Sequence, residues 1–448
     1  MKGRVWLVSS VLMLFSAPGF AAEAGPDGVP ETNERREQER GPRIPQISFA
    51  EALRRAGAES YRVQKARAEM GSAAAEVKRS RANWLPTLDG VGTYTRLDGD
   101  RVVGDRVVSP ANALNLSAQL EVPIVRAARW ADTARQKESL EVAEGRVTEA
   151  RRQALMDATR AYLRVLLEKR NVEIAERAVT VAQKQLSFMQ TREQEGVGSR
   201  LEVTRAEHEL HTNLAYLAAR RASVYEAQEN LGVALLHDGP LDASGSLLPS
   251  ELPSLADALG SAKERPDLVA LRAQASSDQK RVDQAYLDYL PNLTATGMAF
   301  YQNPPSVNFP EFGWQLQLVL MVPLYDGGRR YGDQEARRAQ AQASRTEIRQ
   351  AELAAAAEVR AKAQQVESLL VAWQEAQNSA RVAREALALA QRSFEEGSGT
   401  QIELIESERN VRDAETNAAI AEMAWLEARV LYRLAAGRLD IDGETPRP

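Results

Sequence analysis

The residues best suited to chemistry fall into a few small groups, and most of them fail on spacing. His208 and His211 stand three apart and would share a face of a helix. No acid–histidine cluster nearby completes a tetrahedral metal set, so they read as exposed surface histidines. Gly327-Gly328 does not follow the pattern of a strand leading into a phosphate-cradling loop. Serine, histidine and aspartate all occur, yet none sits in a nucleophile-elbow pattern. Nothing assembles an acid, a base and a nucleophile, so the sequence argues against an enzyme and implies no cofactor. Three carboxylates have a more specific setting. Glu202 stands three residues after Ser199, and Glu403 three after Thr400, the spacing of a helix capping box. Glu403 and Glu406 are one turn apart, so both carboxylates lie on one face.

The elements that hold these carboxylates are helices that reverse direction. Gly196-Val197-Gly198-Ser199 and Gly397-Ser398-Gly399-Thr400 each break a long helical pattern. Glycine allows the positive φ of a reversal, and Ser199 and Thr400 suit the N-cap of the returning helix. Helices are expected from about Arg126 to Glu195, Leu201 to Leu236, Arg329 to Glu396 and onward to Ala436. Steps of four and three from Ala154 reach Ala158, Ala161, Val165, Glu168, Val172, Ala175, Val179, Ala182 and Leu186, all apolar but Glu168. Val359, Ala363, Val366, Leu370 and Trp373 keep the same period in the second half, slip one step, and continue from Ala376 to Phe394. This is a coiled-coil seam, and its many alanines let backbones approach closely. Some 70 residues of helix span roughly 105 Å at 1.5 Å per residue, a strut rather than part of a compact domain.

One pattern occurs twice. Leu85-Pro86-Thr87-Leu88 returns as Leu290-Pro291-Asn292-Leu293, Val122-Pro123-Ile124 as Val322-Pro323-Leu324, and the two Gly-tipped turns match, at offsets of 205, 200 and 201. That period is too long for a solenoid unit and indicates duplication of a whole half. The expected halves are 47–237 and 255–439, joined by a linker at 238–254 and followed by a tail at 440–448. Further helices are expected over Phe49–Trp84 and Leu255–Tyr289. Strands are expected at about 88–99, 112–123, 292–302 and 313–323.

From Leu114 to Val122 the chain alternates strictly, Leu114, Leu116, Ala118, Leu120 and Val122 against Asn115, Ser117, Gln119 and Glu121. Trp314-Gln315-Leu316-Gln317-Leu318 alternates likewise. A soluble sheet with one wet face would look the same, but nine to eleven residues is also the length of a tilted transmembrane strand. Four strands cannot close a barrel and an open edge is forbidden in lipid, so a membrane sheet here demands oligomerisation, with three copies giving twelve strands. Trp84, Trp314 and Tyr301 flank the strands, as interface-belt or core aromatics do. At the N-terminus, Lys2 and Arg4, the apolar run Val5–Phe15 and the small residues to Ala24 read as a secretory signal over about 1–22. Residues 23–46 form a Pro-, Gly- and charge-rich leader. The chain has no cysteine, hence no disulfide and no N-terminal lipidated cysteine. Its net charge of −5 makes it a poor nucleic-acid binder.

From Ile47 to Leu439 the order of features resembles the TolC-like outer-membrane efflux proteins. The resemblance rests on Ile47-Ser48-Phe49-Ala50-Glu51-Ala52-Leu53, the Leu-Pro-x-Leu pair, Arg265-Pro266-Asp267-Leu268 and Val322-Pro323-Leu324-Tyr325-Asp326-Gly327-Gly328-Arg329. It implies a mostly α chain with a small β part: a homotrimer with a twelve-stranded β-barrel in the outer-membrane lipid of a Gram-negative bacterium and a long α-barrel in the periplasm. It further implies a passive duct working with a periplasmic membrane-fusion adaptor and an inner-membrane pump. The adaptor would contact the tips Gly196, Val197, Gly198, Ser199, Gly397, Ser398, Gly399 and Thr400. Glu403 and Glu406 match acidic residues that ring the pore mouth in relatives, and Glu202 matches an acidic latch residue. Phe394 stands where the family has a latch tyrosine and Gly399 where it has a latch arginine, leaving Arg192 or Arg200 to substitute. Val125-Arg126-Ala127-Ala128 departs from the Tyr-Asp-Gly-Gly turn of the second half, so the two strand-to-helix joints should differ. Read without the resemblance, a periplasmic coiled-coil spacer or stalk without channel activity also explains the heptads, though not the repeated strand pairs.

Overall fold

The computed structural model describes residues 44–104, 106–245, 251–305 and 310–438. The expected signal, most of the leader, residues 246–250 of the linker and the tail lie outside them. Eight helices and eight strands are described. In chain order they are β1 (Gln46–Ile47), α1 (Phe49–Glu59), α2 (Tyr61–Ala82), β2 (Thr87–Arg96), β3 (Arg101–Val103), β4 (Arg106–Ser109), β5 (Asn112–Val125), α3 (Ala127–Gln194), α4 (Arg200–Ala234), β6 (Asp242–Ala243), α5 (Leu255–Ala262), α6 (Pro266–Asp283), β7 (Asn292–Asn303), β8 (Phe312–Met321), α7 (Arg329–Glu395) and α8 (Gln401–Ala435).

The helix expected over Phe49–Trp84 is divided. Ser60 leaves the helical region at ψ 151° and separates α1 from α2. No proline or glycine marks that break. The helix expected over Leu255–Tyr289 is also divided, and here the cause is legible. Pro266 forces Arg265 out of the helical region (φ −58°, ψ 139°) and begins α6 at its first position. The last turn, Gln284–Tyr289, tightens to a 3-10 helix.

The long helices α3 and α7 are through-running struts. Nearer the strands, α2 and α6 pack against α3, and α6 also packs against α7; towards the tips, α4 pairs with α3, α8 with α7, and α3 touches α8. The heptad seams face inward. In α3, Ala154, Ala158, Val165, Ala175, Val179 and Ala182 are buried, as are Val359, Val366, Ala380 and Phe394 in α7. Glu168, the one polar residue on the α3 seam, has a 1% exposed side chain and is neutralised by Arg164 at 2.7 Å and Arg220 of α4 at 3.7 Å. Midway, β1 pairs in parallel with β6, and Lys169 and Gln228 close on Asp242 at 2.9 and 3.0 Å.

Where α3 crosses α6 the two helices approach closely. A Cβ on Gly145 would lie 2.6 Å from the Cβ of Ala270. Gly145→Val should therefore wedge the helices apart and cost about 1–3 kcal/mol. A urea midpoint equal to that of the unsubstituted protein would mean the crossing yields freely.

The strands form one antiparallel sheet in the order β2-β5-β7-β8. Its register collects like residues on each face. Leu88, Leu120, Gly297 and Leu316 stand in one row across the sheet, as do Ala118, Ala299 and Trp314. The opposite face carries Asp89, Gln119, Met298 and Gln315 in a single row. The apolar face is uncovered, with Leu88 73%, Trp314 76% and Leu318 67% exposed. β2 and β8 form the two outer edges of this sheet. The strands thus begin or end within about three residues of expectation, while the short β3–β4 hairpin and the β1–β6 pair were not foreseen. Among the described residues, no helix is long and apolar enough to cross a membrane.

Candidate functional site

The two helix reversals are built almost identically. Gly196 (φ +74°) and Gly397 (φ +78°) take the left-handed conformation that ends α3 and α7. The amides of Val197 and Gly198 both return to the carbonyl of Arg192, and those of Ser398 and Gly399 to Ser393. Gly198 is needed for a second reason: a Cβ there would press to 2.9 Å from Arg192 Cβ. The returning helices are capped reciprocally. Ser199 Oγ accepts from the Glu202 amide at 3.3 Å, and Glu202 Oε2 accepts from the Ser199 amide at 2.8 Å. Thr400 and Glu403 repeat this at 3.3 and 2.8 Å. Those bonds, first the Thr400 amide, hold the exposed Glu403 carboxyl below its usual range. Glu406 is exposed one turn further on.

The two tips lie side by side. Gln401 Nε2 donates to the Glu202 carbonyl at 2.7 Å, and Met189, Val203, Ala206, Phe394 and Leu404 form one apolar cluster between the hairpins. Phe394, one of the four residues expected at the constriction, belongs to this cluster. It is only 6% exposed, faces Phe188 edge-on at 6.3 Å, and has the Arg192 guanidinium 5.3 Å from its ring centre. Without a hydroxyl it packs as part of the apolar core between the hairpins. Arg192 reaches the Val197 carbonyl at 3.4 Å and Arg200 pairs with Glu193 at 3.5 Å, so both arginines are engaged in their own hairpin. Val197 is 64% exposed, and Ser398 and Thr400 are also exposed. His208 and His211 are exposed on α4.

Two polar layers behind the tips were not anticipated. In the first, Arg409 of α8 donates through Nε to Glu209 of α4 at 3.1 Å, and a second guanidinium nitrogen also reaches that carboxylate. Asn213 joins both Glu209, at 3.1 Å, and Arg412, at 3.0 Å. Beside them, burial and the Glu209 charge push the Glu408 carboxyl up to about 7. A cavity of about 180 Å³ opens here, lined by Ile174, Glu209, Asn213, Leu387, Glu408 and Arg412. In the second layer, Arg177 and Arg384 each approach Glu415 at 2.7 Å. Burial opposes the Glu415 charge, but the two guanidiniums prevail and hold its carboxyl below the usual range. A signal for the first layer exists in the sequence: the bonded pairs Glu209–Arg409 and Asn213–Arg412 are separated by 200 and 199 residues, nearly the repeat offset.

A pair of long Gly-tipped helical hairpins continuous with an amphipathic four-stranded sheet defines an outer-membrane duct. Residues 52–235 and 260–438 match the outer membrane efflux protein family, and the chain belongs to that family. It is an outer-membrane channel protein of tripartite efflux systems, with a large periplasmic part. Members of the family form trimers and work with an adaptor and an inner-membrane pump; the family is one of transport ducts and not of enzymes. The fold is similar to the Campylobacter jejuni CmeC outer membrane channel, with a TM-score of 0.73 and 15% identity, covering 87% of this chain and 85% of that one. It is also similar to the open state of the Neisseria gonorrhoeae MtrE outer membrane channel, with a TM-score of 0.68 and 19% identity, covering 89% and 91%. The pyoverdine export outer membrane protein OpmQ of Pseudomonas aeruginosa is 23% identical over 401 residues, 82% of each chain. The fusaric acid resistance protein FusA of Burkholderia cepacia is 32% identical over 155 residues, which span 31% of this chain and 28% of that one.

Proposed function

We propose that three copies of this chain close a twelve-stranded barrel whose apolar face meets outer-membrane lipid, and that the paired tips form a cation-attracting periplasmic mouth. The observation that carries the reading is the sheet: one face apolar and uncovered, and β2 and β8 at its two open edges. Unpaired edge amides are intolerable in lipid, so β8 of one copy must pair with β2 of the next. A coiled-coil spacer would have no use for such a sheet. Solute passes without chemistry on the chain. The turns Gly196–Ser199 and Gly397–Thr400 are the surface offered to the adaptor. Two relatives are named for pyoverdine and fusaric acid, which favours small molecules as cargo here.

At the mouth, Glu403 and Glu406 supply six carboxylates across three copies. Glu403 stays ionised in mildly acidic periplasm because its cap bonds favour the charged form. The test is planar-bilayer conductance of the purified protein, with its mass checked in detergent. A trimer with discrete, cation-preferring openings is expected. Glu403→Gln with Glu406→Gln keeps the cap geometry, since glutamine also completes a capping box. It should bring the cation preference toward unity and raise the concentration of polyvalent cation needed for block about tenfold, the factor equivalent to 1.4 kcal/mol. Unchanged selectivity would reduce both residues to caps and surface charge.

A further inference from the structure

The joint between β5 and α3 holds charges that the duct reading leaves unused. In the second half the acid of the equivalent joint is satisfied locally: Asp326 accepts from the amides of Gly328 and Arg330 at 3.2 Å each and pairs with the Arg330 side chain at 2.7 Å. In the first half Arg126 stands in the position of that aspartate. Its Nη2 meets Glu121 at 2.6 Å and Thr294 Oγ1 at 2.9 Å. One turn on, Arg129 donates to the carbonyl of Asn83 at 2.6 Å, and among the described residues no carboxylate pairs with it. Burial and the neighbouring Arg126 both act against the Arg129 charge, and Glu121 offsets them only in part.

These groups border a cavity of about 460 Å³ lined also by Asn292, Thr294, Thr296, Val319 and Met321. The register puts every one of its strand residues on the sheet's polar face: Glu121 stands opposite Thr296, Thr294 opposite Val319, and Asn292 opposite Met321. In a barrel with its apolar face to lipid, that face is the lumen. We propose that the foot of the β-barrel carries an oxyanion-binding subsite in the lumen, formed by Arg126 and Arg129 with Thr294, for solutes bearing a carboxylate or phosphate group. Two guanidiniums against one carboxylate leave an excess positive charge in each copy. Arginine suits planar oxyanions through its paired donors, and Val319 and Met321 give the apolar part of a solute a surface to rest on. Such a station suits a duct, because conduction needs binding strong enough to admit and weak enough to release.

The proposal rests on the lumen lying inside the barrel as described above, and two measurements keep the two ideas apart. The first is block of potassium chloride current by pyrophosphate added to the extracellular side of the purified full chain. The second is pyrophosphate binding to the same protein in detergent by calorimetry, which needs no conduction. Arg126→Gln with Arg129→Gln should raise both the blocking and the dissociation concentration at least about tenfold. Glu121→Gln, which removes the competing carboxylate, should lower both. Those opposite shifts would not come from a barrel that merely folds badly, and detergent mass confirms assembly in each case. A conducting wild-type pore without block or calorimetric binding overturns the subsite and leaves the duct intact. Binding that all three substitutions leave unchanged overturns it too. Binding that shifts as expected in a protein that never conducts supports the subsite and faults the duct reading instead.

Discussion

Arg409→Ala should destabilise the folded chain by about 3 kcal/mol, the lower end of what breaking a buried ion pair costs. The lower end applies because Arg409 is 44% exposed while the Glu209 side chain it satisfies is only 5% exposed. Without the guanidinium, Glu209 keeps Asn213 as a neutral donor and faces Glu408 across a small cavity. The loss should appear as an earlier urea midpoint, together with faster proteolytic cutting near Gly196 and Gly397, because Glu209–Arg409 ties α4 to α8 just behind the tips. Glu209→Gln added to Arg409→Ala should recover most of the stability, since it removes the stranded charge. If the double variant is no better than the single one, the defect lies in lost packing by the arginine stem and not in an unpaired carboxylate.

The sequence exposed the frame of this site more readily than its interior. The capping boxes at Ser199/Glu202 and Thr400/Glu403 are local, so spacing alone predicts them, and the helix ends fall where the glycines require. The seams are periodic, and their residues face inward as the period demands. Strand faces follow from alternation. What local pattern could not supply was anything fixed by two segments about 200 residues apart. Phe394 looks like a tip residue by position, but only the meeting of the two hairpins shows that it fills their common apolar cluster. Glu209, Arg409 and Glu408 read as three charges on a solvated helix surface until α4 and α8 are set side by side. The break at Ser60 lacked any proline or glycine, whereas the one before Pro266 had its cause in plain view.

Glu408 should make the stability of the helical tips depend on pH near neutrality. Its carboxyl stands half-buried on α8, facing Glu209 of α4, with Arg177 of α3 and Arg409, Arg412 and Glu415 of its own helix around the same cavity. From α7 the cavity receives Leu387, and Arg384 acts there through Glu415. Burial and Glu209 raise the carboxyl from 4.5 to about 7. The folded state therefore binds this proton more tightly than the unfolded one. The stability so gained is full below about pH 4.5 and is lost as the pH rises through about 7. Each pH unit between the unfolded and folded values is worth about 1.4 kcal/mol, so the loss approaches about 3 kcal/mol at pH 8. Glutamine mimics the protonated acid at every pH, so Glu408→Gln should raise stability by less than about 1 kcal/mol at pH 5 and by about 3 kcal/mol at pH 8. Urea titrations of both proteins at the two pH values measure the difference. Arg409 should matter to the result, because it holds Glu209 in place as the charge that Glu408 feels; in the Glu209→Gln background the pH dependence should shrink, leaving only the part that burial imposes. Parallel profiles for Glu408→Gln and the unsubstituted protein would mean that water reaches Glu408 in the assembled duct and that the cavity does not govern its proton.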